Sequence, residues 1–174
     1  MAFETTDRDI FLLPGALAFG NQGLRLRTLL GSCVSVVVWH PNLKLGGMCH
    51  FLLPNRFPVR THEPPDGRYA SDALQLLLEQ MTKTVTYLDE YSAHICGGAN
   101  CLNDTAGSPA GARFDIGQRN IEAAEAWCQR LRLGVLQRHV GGETYRHVGF
   151  DVASGFLSVR SGTQAEYSQT GVGA

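Results

Sequence analysis

The chain has no apolar run of the roughly 18 residues that a membrane-spanning helix needs. It has no basic stripe either. Lys and Arg number 15 against 16 Asp and Glu, the formal net charge is −1, and the basic residues are scattered. A nucleic-acid surface gathers its positive charge on one face, so nucleic acid is not an expected partner. Charged residues make up 18% against 44% hydrophobic, a balance that excludes wholesale disorder. No repeat and no low-complexity segment interrupts the middle of the chain.

Paired cysteines are missing too. The five present, Cys33, Cys49, Cys96, Cys101 and Cys128, are an odd number and read as reduced thiols, not as a disulfide framework. A zinc pattern is absent: Cys96 and Cys101 have four residues between them, but no second Cys/His pair stands at finger-like spacing. Cys49 and His50 are adjacent, and neighbours in a strand point to opposite faces. No metal and no organic cofactor is expected. The apolar stretch 10–18 contains an Ala-x-Ala pattern, yet Glu4, Asp7 and Asp9 outweigh Arg8 ahead of it, and Pro14-Gly15 interrupts it. A secretory leader carries positive charge at that place, so this stretch reads as part of the fold and the expected location is cytoplasmic.

What is present fits one domain of 174 residues, with a core over about 8–160 and a tail, 161–174, whose Gly, Ser, Thr and Gln predict a frayed end. Residues 8–18 read as a first strand. A strand-rich run over 25–39 ends in Val34-Ser35-Val36-Val37-Val38-Trp39, where β-branched residues suit a pleated, buried surface. His40-Pro41-Asn42-Leu43 is a turn signal, and a second strand follows over 45–53. Residues 54–67 hold four of the seven prolines and read as a loop. Ala70, Ala73, Leu74, Leu77, Leu78 and Met81 recur at helical spacing. His94-Ile95-Cys96 reads as a short buried strand, 102–114 as a loop, and 117–132 as a second helix with Ile121, Ala124, Cys128 and Leu131 inward. Three closing strands, over 133–140, 145–152 and 156–160, include a hairpin at Ser154-Gly155. Strands outnumber helices without strict βα alternation, and two helices cannot cover both faces of a large sheet. The expected class is α+β: a layered sandwich of mixed sheets with two main helices on one side.

One pair carries chemistry. A turn centred between Pro41 and Asn42 places Trp39 opposite Lys44, Val37 opposite Gly46, Ser35 opposite Met48, and Cys33 opposite His50. Opposed residues share a face, with Cβ atoms about 4.5–5.5 Å apart, close enough for a thiol and an imidazole to meet. A slip of one residue would turn His50 away and bring Cys49 round instead. An imidazolium beside a cysteine lowers the thiol pKa and makes the thiolate the attacking species. Gly31-Ser32 suggests an open backbone whose N–H groups can meet an oxyanion. Thr28 is the candidate that orients the histidine. The plain alternative is that Cys33 is a small buried hydrophobe. Asn100 and Asn120 could hold substrate, but near glycine they read as loop chemistry. His139 and His147 read as structural, and His40 as solvated in its turn. Arg68 and Arg119, where helices open, carry no expected role.

The strings Leu30-Gly31-Ser32-Cys33-Val34 and His50-Phe51-Leu52-Leu53-Pro54 resemble CheD, the chemoreceptor glutamine deamidase family. Asp66-Gly67-Arg68-Tyr69-Ala70, Gly97-Gly98-Ala99, Ile116-Gly117-Gln118-Arg119-Asn120, Gly141-Gly142 with Tyr145-Arg146, and Ser154-Gly155 continue the likeness in order over about 8–160. The resemblance implies an α/β/β layered cysteine hydrolase with Cys33 as nucleophile and His50 as base. A threonine upstream would orient the histidine; several members have it six residues before the cysteine, where this chain has Arg27, so Thr28 takes the role here. The implied reaction converts glutamines of methyl-accepting chemotaxis receptors to glutamate with release of ammonia, and some members also hydrolyse glutamate methyl esters. A CheC-type phosphatase is an implied partner; members that bind it commonly carry Met-Phe where this chain has Cys101-Leu102. Two rival readings stand beside this one: a non-catalytic adaptor of the same fold that binds receptor or phosphatase, and a hydrolase acting on another amide or ester.

Overall fold

In the computed structural model, residues 8–56, 62–100 and 115–169 are described. Their strands form two sheets. One has the order β1 (Arg8–Phe11), β3 (Leu24–Leu30), β8 (Tyr145–Asp151), β9 (Phe156–Gly162). The other has the order β2 (Leu17–Gly20), β5 (Leu45–Phe51), β4 (Val34–His40), β6 (Ser92–Gly97), β7 (Gly134–Val140). Only the β1–β3 and β6–β7 pairs are parallel, so the sheets are mixed. The helices are α1 (Ala70–Thr82), α2 (Ile116–Leu131) and the short α3 (Gln164–Gln169).

Period-two alternation along the strands decides the layering. Val34, Val36 and Val38 turn toward one side of the five-stranded sheet and pack with Leu74, Leu77 and Met81 of α1 and with Ala124 and Trp127 of α2. Val37, Met48 and Cys96 turn the other way and meet Leu24, Leu26, Val148 and Phe150 of the four-stranded sheet. The order is therefore helices, five-stranded sheet, four-stranded sheet: the expected α+β sandwich with α1 and α2 on one side.

Local chemistry ends the elements where it should. The Asp115 side chain accepts the Gln118 N–H at 2.9 Å and caps α2, which ends at Arg132 in the left-handed region, φ 56°. Two expectations change. The stretch 8–18 is not one strand: β1 and β2 lie in different sheets, because the chain crosses between layers around Pro14-Gly15, where Gly15 has φ +86°. Where composition predicts a frayed tail, β9 runs to Gly162 and α3 follows, packed back toward the sheets. The loop read at 102–114, with Cys101, lies outside the described residues, as does part of the proline-rich loop.

Candidate active site

The β4–β5 hairpin puts the sequence-predicted pair on one face of the sheet, with no hydrogen bond between them, in a different register. Ser35, not Cys33, stands opposite His50, and Trp39 stands opposite Gly46. The turn is four residues long, 41–44, with Lys44 at φ +50°. Proline explains the shift. A two-residue hairpin turn needs positive φ at its first central position, and the ring of Pro41 holds φ negative. A shift of two preserves faces. Cys33, one residue before β4 begins, packs in the cluster between the sheets, the side to which Ser35, Met48 and His50 also turn. Cys33 is thus diagonal to His50 instead of directly opposite.

His50 is held from the other sheet. Along β3, Leu24, Leu26, Thr28 and Leu30 are buried while Arg25 and Arg27 are exposed. Thr28 therefore faces inward, and Arg27 turns out to pair with Asp9 at 2.7 Å. The Thr28 hydroxyl lies 2.8 Å from His50 Nδ1 and donates to the Leu12 carbonyl at 2.8 Å. A hydroxyl has one proton, so Thr28 Oγ1 is left to accept from Nδ1–H. The Leu12 carbonyl, 3.3 Å from Nδ1, can only accept as well. Both contacts select the tautomer with the proton on Nδ1. Nε2 then carries a lone pair, and it is buried with no hydrogen-bond partner among the described residues.

Charge differs from the ion pair expected of such a couple. Burial pushes the His50 pKa down to about 4, against the Leu12 carbonyl, which raises it. Burial also raises the Cys33 pKa, with the Tyr167 hydroxyl and the residue's own backbone N–H pulling it back. In this closed arrangement the pair is a neutral thiol and a neutral imidazole, because neither charge is solvated. Cys33 is 3% exposed, and its Sγ lies 3.8 Å from Tyr167 Oη. Tyr167 comes from α3 and packs on Tyr145, with ring centroids 4.8 Å apart. Its neighbour Glu166 reaches His147 Nε2 at 3.2 Å.

The loop before Cys33 is fastened by its carbonyls. Ala99 N donates to Gly31 O and Gly98 N to Cys33 O, both at 2.8 Å. The Asn120 side-chain amide donates to Ser32 O at 3.1 Å and to Leu52 O at 2.7 Å. Gly97 makes the closest approach: at φ +108°, an added Cβ would sit 2.1 Å from Cys33 O.

The remaining singled-out residues divide. His40 is buried, not solvated; its ring stands edge-on to Tyr91, and its Nδ1 accepts from Leu43 N at 3.3 Å. His139 contacts Gln137 at 3.0 Å. Arg68 pairs with Asp66, and Arg119 is exposed on α2. Asn100 is exposed, its N–H bonded to Gly142 O. Asn120 is fully buried on α2, so the loop reading fails for it. The sequence did carry that signal, since Asn120 precedes Ala124 by four and Trp127 by seven on the buried stripe. Tyr167, remote in sequence and in a polar tail, had no such mark. Among the described residues, no cluster of His, Cys, Asp and Glu could hold a metal ion, and no helix is long and apolar enough to cross a membrane.

Known proteins are similar to this chain in sequence. The family described as CheD chemotactic sensory transduction matches residues 52–161. A protein of Chromobacterium violaceum named "Probable chemoreceptor glutamine deamidase CheD 1" is 41% identical over 166 residues, covering 95% of this chain and 84% of its own. A Dechloromonas aromatica protein named "Probable chemoreceptor glutamine deamidase CheD 3" is 39% identical, with 91% of each chain covered. One from Pseudomonas fluorescens, named "Probable chemoreceptor glutamine deamidase CheD", is 40% identical over 87% of this chain and 84% of its own. With the family match spanning more than half of the residues and relatives this similar over nearly the whole length, the chain belongs to the CheD family.

Proposed function

We propose that this protein hydrolyses the side-chain amide of glutamines in the cytoplasmic part of chemotaxis receptors, with Cys33 as nucleophile, His50 as base and Thr28 as the group that orients His50. The observation that carries the roles is the Thr28–His50 contact at 2.8 Å. It leaves a buried Nε2 lone pair on the side of the sheet to which Cys33 belongs. The substrate comes from the family and from the names of its relatives.

The steps follow from the two neutral groups. His50 Nε2 takes the thiol proton as sulfur attacks the carboxamide carbon. The carbonyl electrons move to oxygen, where backbone N–H groups of the Gly31-Ser32-Cys33 loop receive the negative charge. The imidazolium then gives its proton to the departing nitrogen, ammonia leaves, and a thioester remains. Water, deprotonated by the same imidazole, cleaves the thioester to glutamate and restores the thiol. Only transient charge is created in the dry site. That suits a histidine whose pKa burial has lowered to about 4.

An adaptor that only binds has no use for an oriented histidine with an unpaired nitrogen, so the enzymatic reading accounts for more. The reaction puts the protein in the cytoplasm with its receptor. A CheC-type phosphatase is the second partner in this reading, and the positions at which such binding would be read, Cys101 and Leu102, lie outside the described residues. Mass spectrometry of a receptor cytoplasmic domain co-expressed with the protein tests the proposal. Particular glutamines are expected to gain the mass of an amide-to-acid conversion, and Cys33→Ala is expected to abolish the gain. Conversion that persists in that variant refutes the mechanism.

A further inference from the structure

We infer that Asn120 is a positioning residue for amide hydrolysis: by holding the Ser32 carbonyl, it aims the Cys33 backbone N–H at the point where the oxyanion forms. The inference rests on the reading of Cys33 as nucleophile.

The β4–β5 ladder stops at the Val34–Phe51 pair. Beyond it, the segments carrying Cys33 and Leu52 are no longer paired with each other. The Asn120 side chain fills that gap, one amide nitrogen donating to Ser32 O on one side and to Leu52 O on the other. It thereby ties the approach to Cys33 to the segment just past His50, across 88 and 68 residues of sequence.

Peptide geometry turns this tie into a direction. In a trans peptide the C=O and the following N–H point opposite ways. The carbonyls of Gly31 and Cys33 are held by backbone donors from the Gly97-Gly98-Ala99 strand end. The carbonyl between them, that of Ser32, is held by the side chain of Asn120. The Cys33 N–H must therefore point away from Asn120. It belongs to the same residue as the attacking sulfur, and its influence is to lower the thiol pKa. That is the position an oxyanion donor needs, next to the sulfur that attacks.

Apolar packing alone gives no reason for asparagine here. Its neighbours on the buried stripe of α2 are Ile121, Ala124 and Trp127. Asn120 Oδ1 is buried without a partner among the described residues, which is unfavourable. An asparagine that leaves one acceptor unpaired while bonding two loop carbonyls serves geometry.

The test compares two reactions at one sulfur. Amide hydrolysis builds charge on a carbonyl oxygen; alkylation by iodoacetamide does not. In Asn120→Ala, kcat for ammonia release from receptor fragments is expected to fall about 100-fold, the lower end of the range for a lost oxyanion donor, with KM nearly unchanged. The Cys33 alkylation rate should stay within a few-fold of wild type. Asn120→Ser, which keeps one donor, should recover part of kcat, and it also serves if the alanine variant does not fold. An unchanged kcat in either folded variant overturns the inference. So does an alkylation rate that falls in step with kcat, since the residue would then act on the thiol. A wild-type protein that releases no ammonia, or a Cys33→Ala variant that still does, sinks the functional reading itself and is recognisable as a separate result.

Discussion

The two faces of the five-stranded sheet come from the same strands and are equally dry, yet their chemistry differs. Toward α1 and α2 the strands offer Val34, Val36, Val38, Cys49, Phe51, Ala93 and Ile95, all buried and apolar. Toward the four-stranded sheet, Val37, Met48 and Cys96 share the surface with Ser35, His50 and His94, and Thr28 meets them from β3. One face removes apolar area from water and needs nothing else. The other contains polar groups whose burial is unfavourable unless each finds a partner. Ser35 donates to Cys49 O at 2.6 Å and Thr28 to Leu12 O. His50 keeps one nitrogen unpartnered, and His94 both, among the described residues. The open nitrogen of His50 has a use in the proposed reaction, whereas those of His94 have none, and the apolar layer on the opposite face offsets the cost of burying both.

The sharpest way to break this comparison is to truncate one cysteine from each face. Cys33→Ala should abolish ammonia release while the melting transition stays cooperative, whereas Cys49→Ala should keep activity. Loss of activity in both would mean that the faces do not differ in role. Next in size is Leu77→Ala on the helix face. Deleting that fully buried side chain should lower stability by about 2–5 kcal/mol in a denaturant titration. Alkylation of Cys33 in the still-folded protein should be unchanged.

Acid should act through the inter-sheet face. Burial lowers the pKa of both His94 and His50, the latter from 6.5 to about 4. As pH falls below 6.5, the unfolded chain takes up protons that the folded one refuses, so stability drops between pH 6.5 and 4 and is at full strength above that window. His50 accounts for about 3 kcal/mol of the drop by this reasoning. Unfolding midpoints that stay flat from pH 7 to 4 would contradict it. His94→Leu should make the acid drop shallower and leave stability at neutral pH equal or higher, because it removes two unpartnered buried nitrogens. The smallest effect belongs to the cover. Tyr167→Ala should raise the rate of Cys33 alkylation several-fold, since it uncovers a residue that is 3% exposed. Labelling no faster than wild type would mean that Tyr167 does not screen the sulfur.

Much of the frame was legible. Ala70, Ala73, Leu74, Leu77 and Met81 define α1 by spacing, and the observed helix buries each of them. Alternation along β3 settles Thr28 against Arg27, since Leu24 and Leu26 mark the inward parity. The hairpin register was legible in principle as well, because Pro41 forbids the short turn that would set Cys33 directly opposite His50. Asn120 was visible as a polar residue on an apolar stripe, though not its partners. Tyr167 was not visible at all.

What the sequence determined by itself is therefore the set of faces: which side chains of each strand and helix turn the same way. That follows from backbone periodicity, which is local. Only tertiary structure decided which faces meet. The Thr28–His50 contact joins two sheets, Asn120 reaches back 88 residues to Ser32, and Tyr167 lies 134 residues from the sulfur that it covers. Such contacts depend on how layers stack and how the chain crosses between them, and no local repeat encodes that distance.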